Sequence, residues 1–443
     1  MRVCVAPCAS LCRMPFAYRG RMTAPPTARE FDLVLVGATG FVGRLTAAHL
    51  AEHAPTSVRI ALAGRSDERL AEVRSSLPGA AADWPLVVVD TTDSAAVVDL
   101  AARTRVVVTT VGPYAKLGMP LASACAAAGT HYADLTGEVL FVKDSVDTNH
   151  ALAEVSGAKI VHACGFDSIP SDLGVWKIAQ QVAADGEGTL GETVTHVRTL
   201  RGGVSGGTID SLRQQAIEIS GSPERRRAVT DPHGLSPDRD AEPPSRNRTQ
   251  DEFGLVGKVQ AVAGTRYDQV TQRWVAPFFM ASFNTRIVRR SNSLTNWSYG
   301  REFRYSEVMD TGRGPMGAVK AGLTAAVLGG LFAGMSTAPT RTLLDRILPK
   351  PGEGPSDETM DRGRFVFEIE TTTTTGARYT QRVGAAYDPG YSGTAIMLGQ
   401  AGLALALDEL PARSGVLTPS VALGEALVTR LEGFDFEFTT TRR

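Results

Sequence analysis

The sequence predicts an α/β protein, a doubly wound parallel sheet with a second, α+β domain after it. Three observations predict it. An apolar run at Phe31–Val36 breaks into glycines spaced G-x-x-G-x-x-G at Gly37, Gly40 and Gly43. Six short apolar or β-branched runs alternate with helix-patterned segments as far as Ala163, the rhythm of parallel strands joined by helical crossovers. Beyond Asp172 that rhythm stops, and the later strand-like segments suit an antiparallel sheet.

The first strand, FDLVLV, runs into the turn GATGFVG and a helix over 44–53. Gly37 ends the strand in a tight turn, Gly40 lets backbone N–H groups approach a pyrophosphate, and Gly43 lets the helix close on the sheet. Thr39, Phe41 and Val42 supply the remaining amides of that turn. A glycine turn without a nucleotide could use the same residues, but a buried strand before it and an amphipathic helix after it favour the dinucleotide. The second strand, 58–63, ends in Gly64-Arg65-Ser66, with no acid where an NAD site holds the ribose hydroxyls. Arg65, helped by the Ser66 hydroxyl, suits the 2′-phosphate of NADP. A solvated arginine without a ligand is the alternative, and Asp67 keeps it open.

A helix over 67–77, a strand over 86–90, a helix over 94–102 and a strand over 105–110 follow. The exit of that fourth strand borders ribose and nicotinamide in a doubly wound sheet, so Gly112, Pro113 and Tyr114 are expected to line the cofactor. A helix over 118–128 carries Pro120 in its first turn, where the missing N–H costs little. A short strand at His131–Asp134, a helix over 141–156 and a sixth strand over 159–163 then lead into CGFDSIPSD at 164–172.

Beyond Asp172 come a helix over 173–184, a strand over 193–201 and a helix over 208–220. Residues 221–250, rich in Pro, Arg, Asp and Ser, read as a long exposed loop, and strand-like segments follow at 300–306, 363–374 and 377–386. A disordered tail at 1–30, a doubly wound domain from 31 to 172 and a second, α+β domain from 173 on are expected. Residues 321–340 carry no charge, yet much of the segment is Ala and Gly. A buried helix, a peripheral lipid-contacting helix and a true membrane span are all open readings, and RTLLDRILPK at 341–350 suits a membrane surface.

Composition narrows the function classes. With 443 residues, 43% of them hydrophobic, the chain can build a sizeable core and exceeds the usual single domain. Its 46 basic and 47 acidic residues leave a net charge of −1, so no global field recruits nucleic acid. Cys125 and Cys164 stand among small apolar neighbours and are expected to be reduced and buried, as in a cytoplasmic protein. Cys4, Cys8 and Cys12 lack nearby histidines, so no metal site is expected. Residues 1–30 hold no continuous apolar stretch of a secretory signal, and Met22 is an alternative start.

With these pieces placed, the chain resembles the saccharopine dehydrogenase-like oxidoreductases. The carriers are VGATGFVGR at 36–44, LAGRS at 62–66, TTVGPYAKLGMPLASACAAAGTHYADLTGE at 109–138 and CGFDSIPSDLG at 164–174. GYSGTAIML at 390–398 and SGVLTPSVALGEALVTRL at 414–431 are also similar to this family. Within it the chain most resembles the trans-acting enoyl reductases of actinobacterial lipid synthesis. The resemblance implies a Rossmann-type NADP domain of 31–172 completed by the C-terminal segment from about 388 to 443, with an α+β substrate domain inserted between at 173–387. It also implies hydride transfer to an acyl or lipid intermediate of a polyketide synthase that lacks its own enoyl reductase. The sixth-strand exit departs from the Gly-Asp-Pro-Gly type loop of saccharopine reductases, so saccharopine, lysine and glutamate are not expected as substrates.

For an α,β-unsaturated carbonyl, hydride at the β-carbon builds enolate charge on the oxygen, and the α-carbon then takes a proton. Tyr132, Asp167 and Ser168 are the candidate donors, because their loops end strands expected to face one cleft. Each has a structural alternative: Asp167 and Ser168 as caps of the helix starting near Pro170, and Tyr132 as a core residue with its hydroxyl satisfied. His131 is an acid by type, and a structural strand histidine by the alternative. A keto or imine reductase and an NADP-binding regulator without turnover are the rival functions.

Overall fold

The computed structural model describes residues 29–202, 213, 222–242, 265–268, 271–335, 340 and 354–443. The expected tail up to residue 28, nearly all of the expected helix at 208–220, the end of the 221–250 loop and the 341–350 segment lie outside them.

The first sheet is built from β1 (Phe31–Val36), β2 (Ile60–Gly64), β3 (Leu86–Val88), β4 (Thr104–Thr109), β5 (His131–Asp134), β6 (Lys159–Val161) and a seventh strand, Gly415–Leu417. Its order is β3-β2-β1-β4-β5-β6 and then Gly415–Leu417, and every pairing is parallel. Leu33 of β1 pairs with Ile60 on one side and Val106 on the other, so the strand order reverses at β1 and opens a crevice at the carboxyl ends there.

Period-two alternation puts apolar residues on both faces of β1, whose one polar residue, Asp32, is half-buried and paired with Arg59. Val34 and Val36 face one layer, formed by α3 (Ser94–Arg103), α5 (Met119–Ala128) and part of α6 (Val139–Ser156). Leu33 and Leu35 face the other, formed by α1 (Phe41–His53), α2 (Asp67–Ser75) and the helix Ser392–Leu407 from the far end of the chain. That C-terminal helix packs closely because Gly402 lies against β4, where an added Cβ would fall 2.5 Å from Val108 Cγ2.

After α7 (Ile169–Ala184) a second sheet forms from β7 (Leu190–Arg201), β8 (Arg266–Asp268), β9 (Arg273–Pro277), β10 (Arg304–Gly312), β11 (Arg364–Thr373) and β12 (Arg378–Ala385), with Glu437–Arg442 as its outermost strand. The sheet is mixed rather than antiparallel, because β10 returns parallel to β7 after the helix Ala281–Leu294. β10 also starts later than the strand expected at 300–306, since Gly300 takes φ +120° and closes a turn with Phe303. Residues 388–443 divide between the layers: Ser392–Leu407 and Gly415–Leu417 join the first sheet, while Glu437–Arg442 pairs with β12.

The expected exposed loop at 221–250 is, over 222–242, a tethered segment. Ser222 caps a helix at Pro223–Thr230, and Val229 and Leu235 are buried. Three buried arginines of Ala281–Leu294 hold its carbonyls: Arg286 Nε bonds Asp231 O at 3.1 Å, Arg289 bonds Pro232 O at 3.3 Å and Arg290 bonds Leu235 O at 2.6 Å. These carbonyls are thus met from within, while Glu224, Arg226, Arg227 and residues 237–240 stay exposed as the composition suggested.

Candidate active site

The crevice beyond β1, β2 and β4 has the shape a dinucleotide needs. Gly37 sits at φ +89°, and an added Cβ would lie 2.7 Å from Thr110 Oγ1. At Gly43 an added Cβ would lie 2.1 Å from Gly37 O, so the helix can close on the strand only with glycine there. Gly40 differs, being exposed with only Gly37 O near its absent Cβ, at 3.4 Å. α1 starts without a side-chain cap, which leaves the N–H groups of its first turn, at Phe41, Val42 and Gly43, without intrahelical partners. Thr39 turns its carbonyl to Arg44 Nε at 3.1 Å, and Phe41 packs edge-on against Tyr391 with ring centroids 4.9 Å apart. An open turn with unmet donors fits a pyrophosphate.

At the tip of β2, Arg65 is exposed. Ser66 is engaged elsewhere: its Oγ accepts Arg69 N at 3.3 Å and donates to Glu68 at 2.7 Å, capping α2. Arg65 is therefore the stronger of the two candidates for a 2′-phosphate.

Gly112 is exposed at the β4 exit and Pro113 half-buried, joined by a cis peptide, while Tyr114 turns inward. The Tyr114 hydroxyl donates to Thr109 O and accepts Leu135 N, each at 3.1 Å, so the ring props the turn from below. Glu138, absent from the sequence-based candidates, holds the same turn: its carboxylate accepts Tyr114 N at 2.9 Å and Ala115 N at 2.8 Å. A partner 24 positions away leaves no local spacing signal to find it by.

Tyr132 is not at the crevice. Its strand parity sends the ring into the layer of α5 and α6, where its hydroxyl donates to Asp134 Oδ2 at 3.1 Å. His162 Nδ1 lies 2.7 Å from the same oxygen, and its Nε2 lies 2.9 Å from Ser145 Oγ. This Asp–His–Ser array is wholly buried, and it pins the β5 and β6 exits through Asp134 Oδ1, which accepts Thr136 N and Ala163 N at 3.1 Å each. His131 is structural as well, accepting Lys159 N on Nδ1 at 3.1 Å.

Asp167 and Ser168 share the turn between β6 and α7 but diverge. Ser168 is buried, makes no side-chain cap for α7, and bonds Asn284 Oδ1 at 3.2 Å. Asn284 Nδ2 donates to Glu307 Oε2 at 3.0 Å, and Glu307 Oε1 accepts Tyr305 OH at 2.8 Å. Burial pushes the Glu307 carboxyl up to about 7. Asp167 is half-buried and faces Gly137, whose absent Cβ would lie 3.5 Å from Asp167 Oδ1 and 3.6 Å from Met280 Cε. Burial raises the Asp167 carboxyl to about 7, its own backbone N–H opposing and the charge of Asp134 assisting. Phe166 beside it stacks edge-on against Phe365, ring centroids 5.1 Å apart, so the carboxyl stands at an apolar seam between the two sheets. A carboxyl that keeps its proton near neutrality can serve as a general acid there.

Residues 33–158 match the saccharopine dehydrogenase NADP binding domain. A Mycobacterium tuberculosis protein named as a trans-acting enoyl reductase is 48% identical over 427 residues, covering 95% of this chain and 99% of its own. The trans-acting enoyl reductase of Mycobacterium leprae is 46% identical over 425 residues, covering 94% and 99%. Among solved structures, apo saccharopine dehydrogenase (L-Glu forming) from Saccharomyces cerevisiae shares the fold, with a TM-score of 0.52 at 12% identity over 93% of this chain and 99% of that one. The chain belongs to the trans-acting enoyl reductases of the saccharopine dehydrogenase-like family, and it is an NADP-dependent oxidoreductase.

Proposed function

We propose that this trans-acting enoyl reductase family member saturates the carbon–carbon double bond of an enoyl group on a polyketide-derived or lipid acyl chain, with Asp167 as the proton donor. The observation that carries the reading is Asp167 itself, a carboxyl raised to about 7 in the turn after β6, facing Gly137, which Met280 also approaches. When bound, NADPH supplies the hydride. The amides of Phe41, Val42 and Gly43 above the open Gly40 turn hold its pyrophosphate, and Arg65 holds the 2′-phosphate. Gly112 and Pro113 border the nicotinamide, kept in place by Tyr114 and Glu138. Asp167 gives its proton to the substrate α-carbon and regains one through its exposed edge. Ser168 orients the turn through Asn284 rather than touching substrate.

The apolar seam of Phe166 and Met280 suits an acyl chain, and the names of the relatives support delivery by a separate polyketide synthase. The buried free thiols Cys125 and Cys164 support a reducing, cytoplasmic setting. Single-turnover mixing with NADPH and either an enoyl thioester or the matched keto thioester tests the reaction. Oxidation of NADPH with the enoyl substrate alone, giving the saturated acyl product, is expected. Turnover of the ketone alone would move the reading to a carbonyl reductase, and binding without turnover of either would make the chain a regulator.

A further inference from the structure

The helix Gly314–Met335 packs on β9 and β10 with its small residues inward. Ala321 and Ala325 are buried, and a Cβ added at Gly317 would fall 2.5 Å from Gly312 O and 3.2 Å from Trp274 Cδ1. Four of its large apolar residues point outward, while Met335 at its end is buried. Met316, Val319, Leu323 and Val327, one stripe of the helix, are 65%, 64%, 65% and 61% exposed. This inverts the usual amphipathic arrangement, in which the large apolar side chains turn to the core. A contiguous exposed apolar stripe marks a contact surface.

The charge around the stripe says what covers it. Between Asp310 and Asp345 the sequence contains no acid, while Arg313, Lys320 and Arg341 lie in that interval, and Arg313 and Lys320 are exposed. The stripe is apolar, accompanied by the exposed Arg313 and Lys320 at its N-terminal half, and complementary to an anionic lipid surface. The buried small face is committed to Trp274 and Gly312, so the helix lies along the sheet and does not stand across a bilayer. β9 runs from beneath this helix to Pro277 and on to Met280 beside Asp167, joining the surface to the candidate active site through one strand.

We propose that Gly314–Met335 docks flat on an anionic phospholipid bilayer, inserting Met316, Val319, Leu323 and Val327 at the headgroup boundary with Arg313 and Lys320 on lipid phosphates. The docking goes beyond the reduction reading and does not depend on it. The test is co-sedimentation of the full chain with vesicles of phosphatidylcholine mixed with phosphatidylglycerol, against vesicles of phosphatidylcholine alone. Binding to the mixed vesicles, weakened by salt, is expected. Leu323→Asp with Val327→Asp should lower partitioning by at least about tenfold, and Arg313→Gln with Lys320→Gln by roughly thirtyfold, with NADPH affinity unchanged in both. The charge pair keeps the test decisive should the aspartate pair fail to fold. Absence of wild-type binding, or equal binding by a folded variant, overturns the proposal. So does loss of self-association, without change in vesicle binding, in analytical ultracentrifugation of the variants, which would assign the stripe to a second copy of the chain.

Discussion

Glu138 accepts the backbone N–H of Tyr114 at 2.9 Å, so a carboxylate from the turn after β5 fixes the turn after β4. With Ala115 N on its other oxygen, one buried side chain satisfies two backbone donors beside Gly112 and Pro113. Glu138→Ala leaves both donors buried and unmet, and should cost about 2–5 kcal/mol in denaturant unfolding. Glu138→Gln, which keeps one acceptor, should cost about half as much and weaken NADPH binding severalfold. An unchanged NADPH affinity in folded Glu138→Gln would remove the turn from the cofactor wall.

Arg65 and Ser66 separate cofactor choice from helix capping. Arg65→Ala should weaken NADPH binding by roughly 10–100-fold, the value of charge-assisted bonds to a phosphate, and leave NADH binding unchanged. Ser66→Ala should lower stability by about 1 kcal/mol through the lost cap of α2 and leave the NADPH/NADH preference intact. Fluorescence titration with each nucleotide checks both, and equal loss of NADPH and NADH in Arg65→Ala would disprove the 2′-phosphate role.

The raised carboxyl of Asp167 sets a pH limb. Its acid form dominates below about 7, so single-turnover reduction should be level at lower pH and decline as pH rises through that value. Asp167→Asn cannot donate in the same way and should lose at least about a hundredfold, with the limb abolished. A limb that persists in the variant belongs to another group.

Tyr132→Phe should turn over substrate within about twofold of the wild type while losing about 1 kcal/mol of stability, because its hydroxyl serves only Asp134 in the core. A loss of rate with unchanged stability would return Tyr132 to the reacting centre.

Glu307 contributes a stability term of opposite sense to a surface ion pair. Burial lifts its carboxyl from 4.5 to about 7, so between those values the folded chain holds a proton that the unfolded chain has released. Stability should therefore fall as pH rises across that window, at about 1.4 kcal/mol per unit from this group at most. Glu307→Gln should flatten that slope in thermal unfolding followed against pH, and an unaltered slope would show that Glu307 is charged throughout.

The parallel half of the molecule was legible because its information is local. A strand buried on both faces must be apolar wherever it is buried, as Phe31 and Leu33–Val36 are with only the half-buried Asp32 polar, and the backbone of Gly37 and the close approach of Gly43 admit no side chain. Arg65 could be read for the same reason, since the tip of a strand and the residue on it are one short segment. The long 109–138 segment carried the family resemblance because it holds the cofactor-side turns together in one stretch.

What tertiary structure alone decided rests on contacts far apart in the chain. Whether Tyr132 or Asp167 faces the crevice depends on how β5 and the β6 exit present their side chains, which residue type does not reveal. The mixed order of the second sheet arises from β10 returning beside β7, and the anchoring of 222–242 comes from arginines more than fifty positions away, as in the Arg290 to Leu235 bond at a separation of 55. Glu138 and Asn284 act through partners whose nearness only folding creates. By itself, then, the sequence determined the nucleotide turn and the layered sheet around it, because backbone sterics and two-sided burial are written residue by residue. The raised carboxyl of Asp167, the hold of Glu138 on the turn after β4 and the outward stripe of Gly314–Met335 were decided by packing, because burial and desolvation are properties of the assembled chain.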